Sequence, residues 1–213
     1  MLERLLPRLS IDPADHQAGA LDPLTLFDSN IRAVWLEIGF GAGEHLSAMA
    51  RANPDIGFIG CEPFINGVAR LLRDVDQHGL DNVRIVMDDA RLLLDCLAAA
   101  SIGRAFLLFP DPWPKRRHNK RRFVGPENIA AMTHVLVEDG EWRIATDHKD
   151  YCRWILAHMC PAPQFQWLAR RPGDWRIGPA GWPGTRYEEK GVRAGRPSVF
   201  LNFERLPRKQ PTD

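Results

Sequence analysis

Cysteine is scarce in this chain, and what little there is has no metal-holding pattern. Cys61, Cys96, Cys152 and Cys160 contain no CxxC spacing and lie mostly in apolar segments. That argues against a zinc ribbon or a disulfide-stapled scaffold, and reads as reduced core or surface thiols. No apolar run approaches the ~20 residues of a membrane span. The first residues, MLERLLPRLSIDPADHQAG, mix charges with prolines and lack a secretory core, so a cytoplasmic protein is expected. Net charge is nearly absent too, at +1. A uniformly basic nucleic-acid coat is excluded, and any hold on phosphate must come from local clustering. His16, His45, His78, His118, His134, His148 and His158 form no metal-spaced pair and read as surface or helix residues; no metal is expected. No internal repeat or low-complexity tract is present.

What is present is an ordinary globular composition, 45% apolar and 26% charged over 213 residues, enough for one well-buried domain. Residues 1–31 carry three prolines and read as an N-terminal arm with one short helix. A domain is expected over 32–207 and a tail over 208–213. From Ala33 the chain alternates: AVWLEIG, GFIGCE, NVRIVM, RAFLLF and EWRIAT read as buried strands. Between them EHLSAMARA, FINGVARLLRDVDQHG, residues 89–97, GPENIAAMTHVLVEDG and DHKDYCRWILAHM read as helices. In the second of these, Val68, Leu71, Leu72 and Val75 share one face. QFQWLA and SVFLNFER read as a closing antiparallel pair. This order means an open α/β sheet with right-handed crossovers. Residues 170–197 are rich in Gly and Pro, and a loop of that length in a compact domain is usually functional or disordered.

In such sheets ligands bind at the carboxyl ends of the strands. Each of the five ends carries an acid: Glu37, Glu62, Asp88 with Asp89, Asp111, and Asp147 after Thr146. Helix capping explains any one of these, but is a poor account of all five. After the first strand, Gly39, Gly41 and Gly43 let the backbone turn tightly and approach a ligand. Glu44 stands where a dinucleotide loop would need glycine, and Glu37 and Glu44 oppose a pyrophosphate. A cofactor with an ammonium and a sulfonium fits better. Glu62 is placed for ribose hydroxyls and Asp89 for an adenine amino group. That set describes S-adenosylmethionine.

The densest feature follows the fourth strand, in FLLFPDPWPKRRHNKRRFV. Lys115, Arg116, Arg117, Lys120, Arg121 and Arg122 place six positive charges in eight residues, just after Asp111 and Trp113. A carboxylate at a strand end followed by a polycation reads as chemistry beside a polyanion. Such cations supply affinity through phosphates more than sequence choice.

LEIGFGAGEHL, GCEP, DDARLLL, FPDPWPKRRHNKRR, ATDHKDY and TRYEEKGVRAG together resemble the tRNA (guanine-N7)-methyltransferase family over roughly residues 33–205. The Gly-rich segment is shared by a superfamily; PDPWPKRRHNKRR and TRYEEKG are specific to this family. The resemblance implies a Rossmann-like class I methyltransferase domain with a seven-stranded, mostly parallel sheet, an antiparallel last strand and helices on both faces. It implies methyl transfer from S-adenosylmethionine to N7 of guanine 46 in the tRNA variable loop, by a monomer or homodimer. Cofactor contacts are implied at Glu37, Gly39, Gly41, Gly43, Glu62, Asp89 and Asp111, with Asp111 also catalytic. Asp89 is preferred to Asp88 because the family pattern sets the acid directly before Ala90. Lys115, Asp147, Thr185, Arg186, Tyr187 and Glu188 are implied to bind substrate, Arg186 standing where the family commonly has Lys. Arg117, His118, Asn119, Lys120, Arg121 and Arg122 are implied to touch RNA. The N-terminal arm matches no family motif.

The chemistry needs no strong base, because guanine N7 has a lone pair and no proton to lose. The protein must align donor and acceptor and exclude water. Asp111 would favour the charge that the methylated ring gains. Asp147 or Glu188 would accept from the guanine N1–H and amino edge. Trp175 and Trp182 either stack on a base or pin the late loop. Two alternatives stay open: a methyltransferase for a small molecule or protein, and a non-catalytic RNA-binding module on the same fold.

Overall fold

The computed structural model describes residues 2–208, the side chain of Tyr187 excepted. The expected tail therefore lies, beyond Arg208, outside the described residues. In chain order the elements are α1 (Leu2–Leu9), β1 (Ala33–Ile38), α2 (Glu44–Ala52), β2 (Ile56–Cys61), α3 (Ile65–His78) and β3 (Val83–Val86). There follow α4 (Ala90–Cys96), β4 (Ile102–Leu108), α5 (Pro126–Val135), β5 (Leu136–Thr146), α6 (Lys149–Met159), β6 (Phe165–Trp167), α7 (Gly173–Arg176), α8 (Arg186–Arg193) and β7 (Val199–Arg205). The strands form one seven-stranded sheet in the order β3-β2-β1-β4-β5-β7-β6. β1 to β5 pair in parallel, and β7 runs antiparallel to β5 and β6.

Side chains alternate across a strand, and here the alternation fills two cores. Val34, Leu36, Ile38, Ile59, Cys61, Ala105 and Leu107 bury on one face, under Leu93 and Leu94 of α4, Ile129 and Met132 of α5, and Tyr151, Ile155 and Met159 of α6. Ile56, Phe58, Val83 and Ile85 bury on the other, with Leu46 of α2 and the Val68, Leu71, Leu72, Val75 stripe of α3. Helices thus cover both faces, as a parallel sheet requires. The order reverses between β1 and β4, both of which contact each other while their successors run outward in opposite directions. The crevice above their carboxyl ends is the expected ligand site.

Two segments differ from expectation. The helix read over GPENIAAMTHVLVEDG ends at Val135, and Leu136 opens β5. Leu136 pairs with Ile102 while Glu141 pairs with Arg104, so residues 137–140 are looped out of register. Asp139 turns through a left-handed φ of 62° to allow this. Apolar periodicity does not separate a helix end from a bulged strand start. The late Gly/Pro-rich stretch is likewise not uniformly loop, since it contains α7 and α8.

Residues 2–11 pack along the β3 edge. Leu5 and Leu9 bury against the α3 core, Ser10 bridges Ile85 in parallel, and the Ile11 N–H donates to the Ile85 carbonyl at 2.8 Å. The bridge covers an otherwise open sheet edge. Leu5→Ala and Leu9→Ala should each cost about 2–3 kcal/mol, measured as a lower denaturant midpoint at unchanged slope. An unshifted midpoint in both would mean that α1 contributes nothing to the fold.

Candidate active site

One wall of the crevice is the turn between β1 and α2. Gly39, Gly41 and Gly43 adopt φ of 69°, 58° and 79°, a region that costs other residues about 1–2 kcal/mol each. The turn is tied to the end of β2: the Gly41 N–H donates to Glu62 Oε2 at 2.8 Å, and the Phe64 N–H donates to Oε1 at 3.1 Å. Gly67, in the first turn of α3, completes the wall. A methyl group there would lie 2.1 Å from the Gly41 carbonyl oxygen. Gly43 serves packing, since a methyl group there would sit 2.8 Å from Leu71.

The opposite wall is the chain leaving β4. Phe109 and Trp113 take left-handed φ of 51° and 42°, strain of order 1–3 kcal/mol each that the surroundings must hold in place. Arg122 supplies the hold at Trp113. Its Nε donates to the Pro112 carbonyl at 2.9 Å and its Nη2 to Asp150 at 2.5 Å, with a longer contact to the Trp113 carbonyl at 3.4 Å. The guanidinium lies over Tyr151 and Trp154 at 5.3 and 4.8 Å, and Arg122 is only 6% exposed. Burial pushes the Tyr151 phenol up to about 12. The hydrogen bond from Arg122 holds the Asp150 carboxyl below the usual carboxylate range.

Between the walls lies a cleft of about 490 Å³ that includes Gly39, Gly41, Glu62, Phe64, Asn66, Gly67, Arg70, Asp111, Trp113, Arg121 and Arg186. Beside it a cavity of about 20 Å³ is lined by Glu37, Glu44, His45 and Thr185 among others, about the room of one water. Glu37 is buried, and His45 Nδ1 lies 2.6 Å from its Oε2. Of the surface or helix readings for the histidines, His45 takes the helix one, on α2, with its ring buried.

The chain is similar in sequence to known methyltransferases. Residues 32–201 match the family described as "Putative methyltransferase". A tRNA (guanine-N(7)-)-methyltransferase of Nitrobacter winogradskyi is 47% identical over 96% of this chain and 79% of its own length. One of Ruegeria pomeroyi is 53% identical over 82% of this chain and 73% of its own. The chain belongs to the tRNA (guanine-N7)-methyltransferase family. Its fold is also that of the 16S rRNA methyltransferase KamB, at a TM-score of 0.61 and 15% identity over 90% of this chain and 99% of that one.

Set on this tRNA (guanine-N7)-methyltransferase frame, the expected site residues divide. Gly39, Gly41, Glu62, Asp111, Arg121 and Arg186 meet at the cleft, and Glu37 and Thr185 at the small cavity. Asp89 lines neither. It caps α4 and is held bidentately by Arg91, which lowers its carboxyl below the usual range. Asp147 accepts from Arg196 at 2.8 Å and Glu188 from Trp182 Nε1 at 2.6 Å. Arg186 pairs with Glu44. The side chain of Tyr187 lies outside the described residues. Lys115, Arg117, Lys120 and Arg121 are exposed on or beside a 3₁₀ turn, Arg116–Arg121, with His118 and Asn119 half-buried. Arg122 is the correction among the expected RNA contacts, because its guanidinium is already spent inside the protein. Trp182 packs between His45 and Phe200, and Trp175 against the core, so both pin the late loop. Phe64, Asn66, Gly67 and Arg70 were not foreseen, since nothing in a helix start marks it as a cleft wall.

The lowered Asp150 carboxyl gives stability that is complete above its ordinary value near ~3.9 and is lost as pH falls through the lowered one. Asp150→Asn should therefore be less stable than wild type by a constant margin above about pH 5, with the two curves converging in acid. Parallel curves throughout, from denaturation series at stepped pH, would detach Asp150 from Arg122. Gly67→Ala should loosen the glycine turn, seen as weakened ligand binding in the cleft alongside a lower melting temperature.

Proposed function

We propose that this chain methylates N7 of guanine 46 in the tRNA variable loop, using S-adenosylmethionine, in the cytoplasm. The observation that carries this reading is the cleft itself. It sets the glycine turn and Glu62 on one wall, with Asp111, Trp113 and Arg121 on the other.

The residues present suit the donor. Three left-handed glycines bring the backbone close, the absence of a Cβ at Gly67 leaves the turn open beside α3, and Glu37 and Glu62 offer negative charge where a dinucleotide would need positive. When bound, the donor supplies an electrophilic methyl group on a sulfonium. Glu62 would hold the ribose hydroxyls with the lone pairs that Gly41 and Phe64 leave free. Glu37, beside the small cavity with Thr185, would take the ammonium. Asp89 would reach the adenine edge only by yielding bonds to Arg91.

Asp111 would stand beside the guanine ring and favour its developing positive charge. No proton leaves N7, so alignment and exclusion of water are what the walls must provide. Glu188 or Asp147 would accept from the guanine edge, each already oriented by a neighbour. Arg121 and the exposed cations of the 3₁₀ turn would meet phosphates.

The direct test is methylation of unmodified tRNA with labelled donor, followed by mapping of the product. N7-methylguanine at 46 is expected; label in another nucleotide, or only in small molecules or protein, would overturn the reading. Asp111→Ala, at an exposed position, should melt like wild type while turnover falls by about 10²–10³-fold. Arg121→Ala should make tRNA binding less steeply salt-dependent by about one ion. Arg122→Lys should leave that slope unchanged and lower turnover, and the opposite assignment of the two effects would refute the division between these neighbours.

A further inference from the structure

We infer that His45 is a positioning residue of this reaction, one ring that sets both the cofactor carboxylate and the substrate loop. The inference rests on the functional reading above and adds a residue to it. His45 is 3% exposed, as is Glu37. A carboxylate only accepts, so the 2.6 Å contact is donated by Nδ1–H to Glu37 Oε2. That places a proton on Nδ1, and Glu37 lines the cavity shared with Thr185.

The ring's faces and edges have a second task. Phe106 of β4 lies 4.8 Å away and Trp182 of the late loop 5.0 Å away, centroid to centroid. Trp182 in turn packs on Phe200 at 5.2 Å and donates Nε1–H to Glu188 at 2.6 Å. The Glu188 N–H donates to Thr185 Oγ1 at 3.1 Å, closing the first turn of α8. One residue earlier, Glu44 pairs with Arg186. The start of α2 therefore carries the segment Thr185–Glu188 on one side and Glu37 on the other. His45 is where the two supports meet.

The two tasks use different parts of the imidazole, which makes them separable. His45→Phe keeps an aromatic ring between Phe106 and Trp182 and removes the donor to Glu37. His45→Asn keeps a donor at the reach of Nδ1 and removes the ring. The first should weaken S-adenosylmethionine binding by about tenfold or more, as for a lost bond to a charged group, with KM for tRNA little changed. The second should hold donor affinity near wild type and raise KM for tRNA. Trp182→Phe, on the half-exposed loop, should repeat the second pattern without disturbing the buried pair, and it keeps the test decisive where His45→Asn fails to fold.

Calorimetry with S-adenosylmethionine and steady-state kinetics with tRNA provide both readouts. A change of donor affinity and tRNA KM in the same proportion in both His45 variants, tracking melting temperature, would reduce His45 to a structural role and overturn the inference. Wild-type protein that neither binds the donor nor methylates tRNA would instead sink the functional reading beneath it. An active wild type with unsplit variants refutes only the positioning role.

Discussion

The cleft depends on a buried guanidinium that belongs, in sequence, to a surface-looking run. A charge taken out of water costs several kcal/mol unless it is paired and hydrogen-bonded. Arg122 is compensated by a carboxylate, backbone carbonyls and two aromatic faces. In return it ties the segment after Asp111 to α6, while the Phe109 N–H is tied to the Ala145 carbonyl of β5 at 2.8 Å. Asp111 is exposed, yet the backbone on both sides of it is held. The role proposed for Asp111, meeting an incoming base, needs that combination, with the acid at the surface and the restraint beneath it.

The glycine-turn wall is restrained by different means. There the wall is backbone, with glycine in place of larger side chains, and rigidity comes from Glu62 accepting two main-chain N–H groups. The close approach of Gly67 to Gly41 makes α3 and the turn a single wall. The two walls meet because β1 and β4 are neighbours at the reversal of strand order.

How much of this could be read from sequence follows from what sequence encodes. Strand ends are legible in sequence, so Glu37, Glu62 and Asp111 can be placed at one edge of the sheet from sequence alone. The α3 stripe was legible for the same reason, a period matched to one face. Direction within a charged run is not: six cations look alike, and only packing shows that Arg122 turns inward. Asp89 was equally ambiguous, because an acid before a helix is both a strand-end ligand and a helix cap, and the bond to Arg91 shows it capping here. His45 was missed because a histidine at a helix start is ordinarily solvated, and its partner Glu37 had already been assigned to the cofactor.

Arg121 and Arg122 show how finely the division runs. They are adjacent at the end of one 3₁₀ turn, and Trp113 connects them. Arg122 reaches the Trp113 carbonyl, while Arg121 lies over the Trp113 ring at 4.8 Å and His118 meets that ring edge-on at 5.9 Å. A cation on a ring face near the surface is worth only about 0.5–1 kcal/mol, so Arg121 is held weakly. The buried neighbour has no such freedom, because leaving would strand Asp150 and abandon the backbone beside the acid. One charge is thus held loosely at the surface, and the other is fixed beneath the backbone beside Asp111.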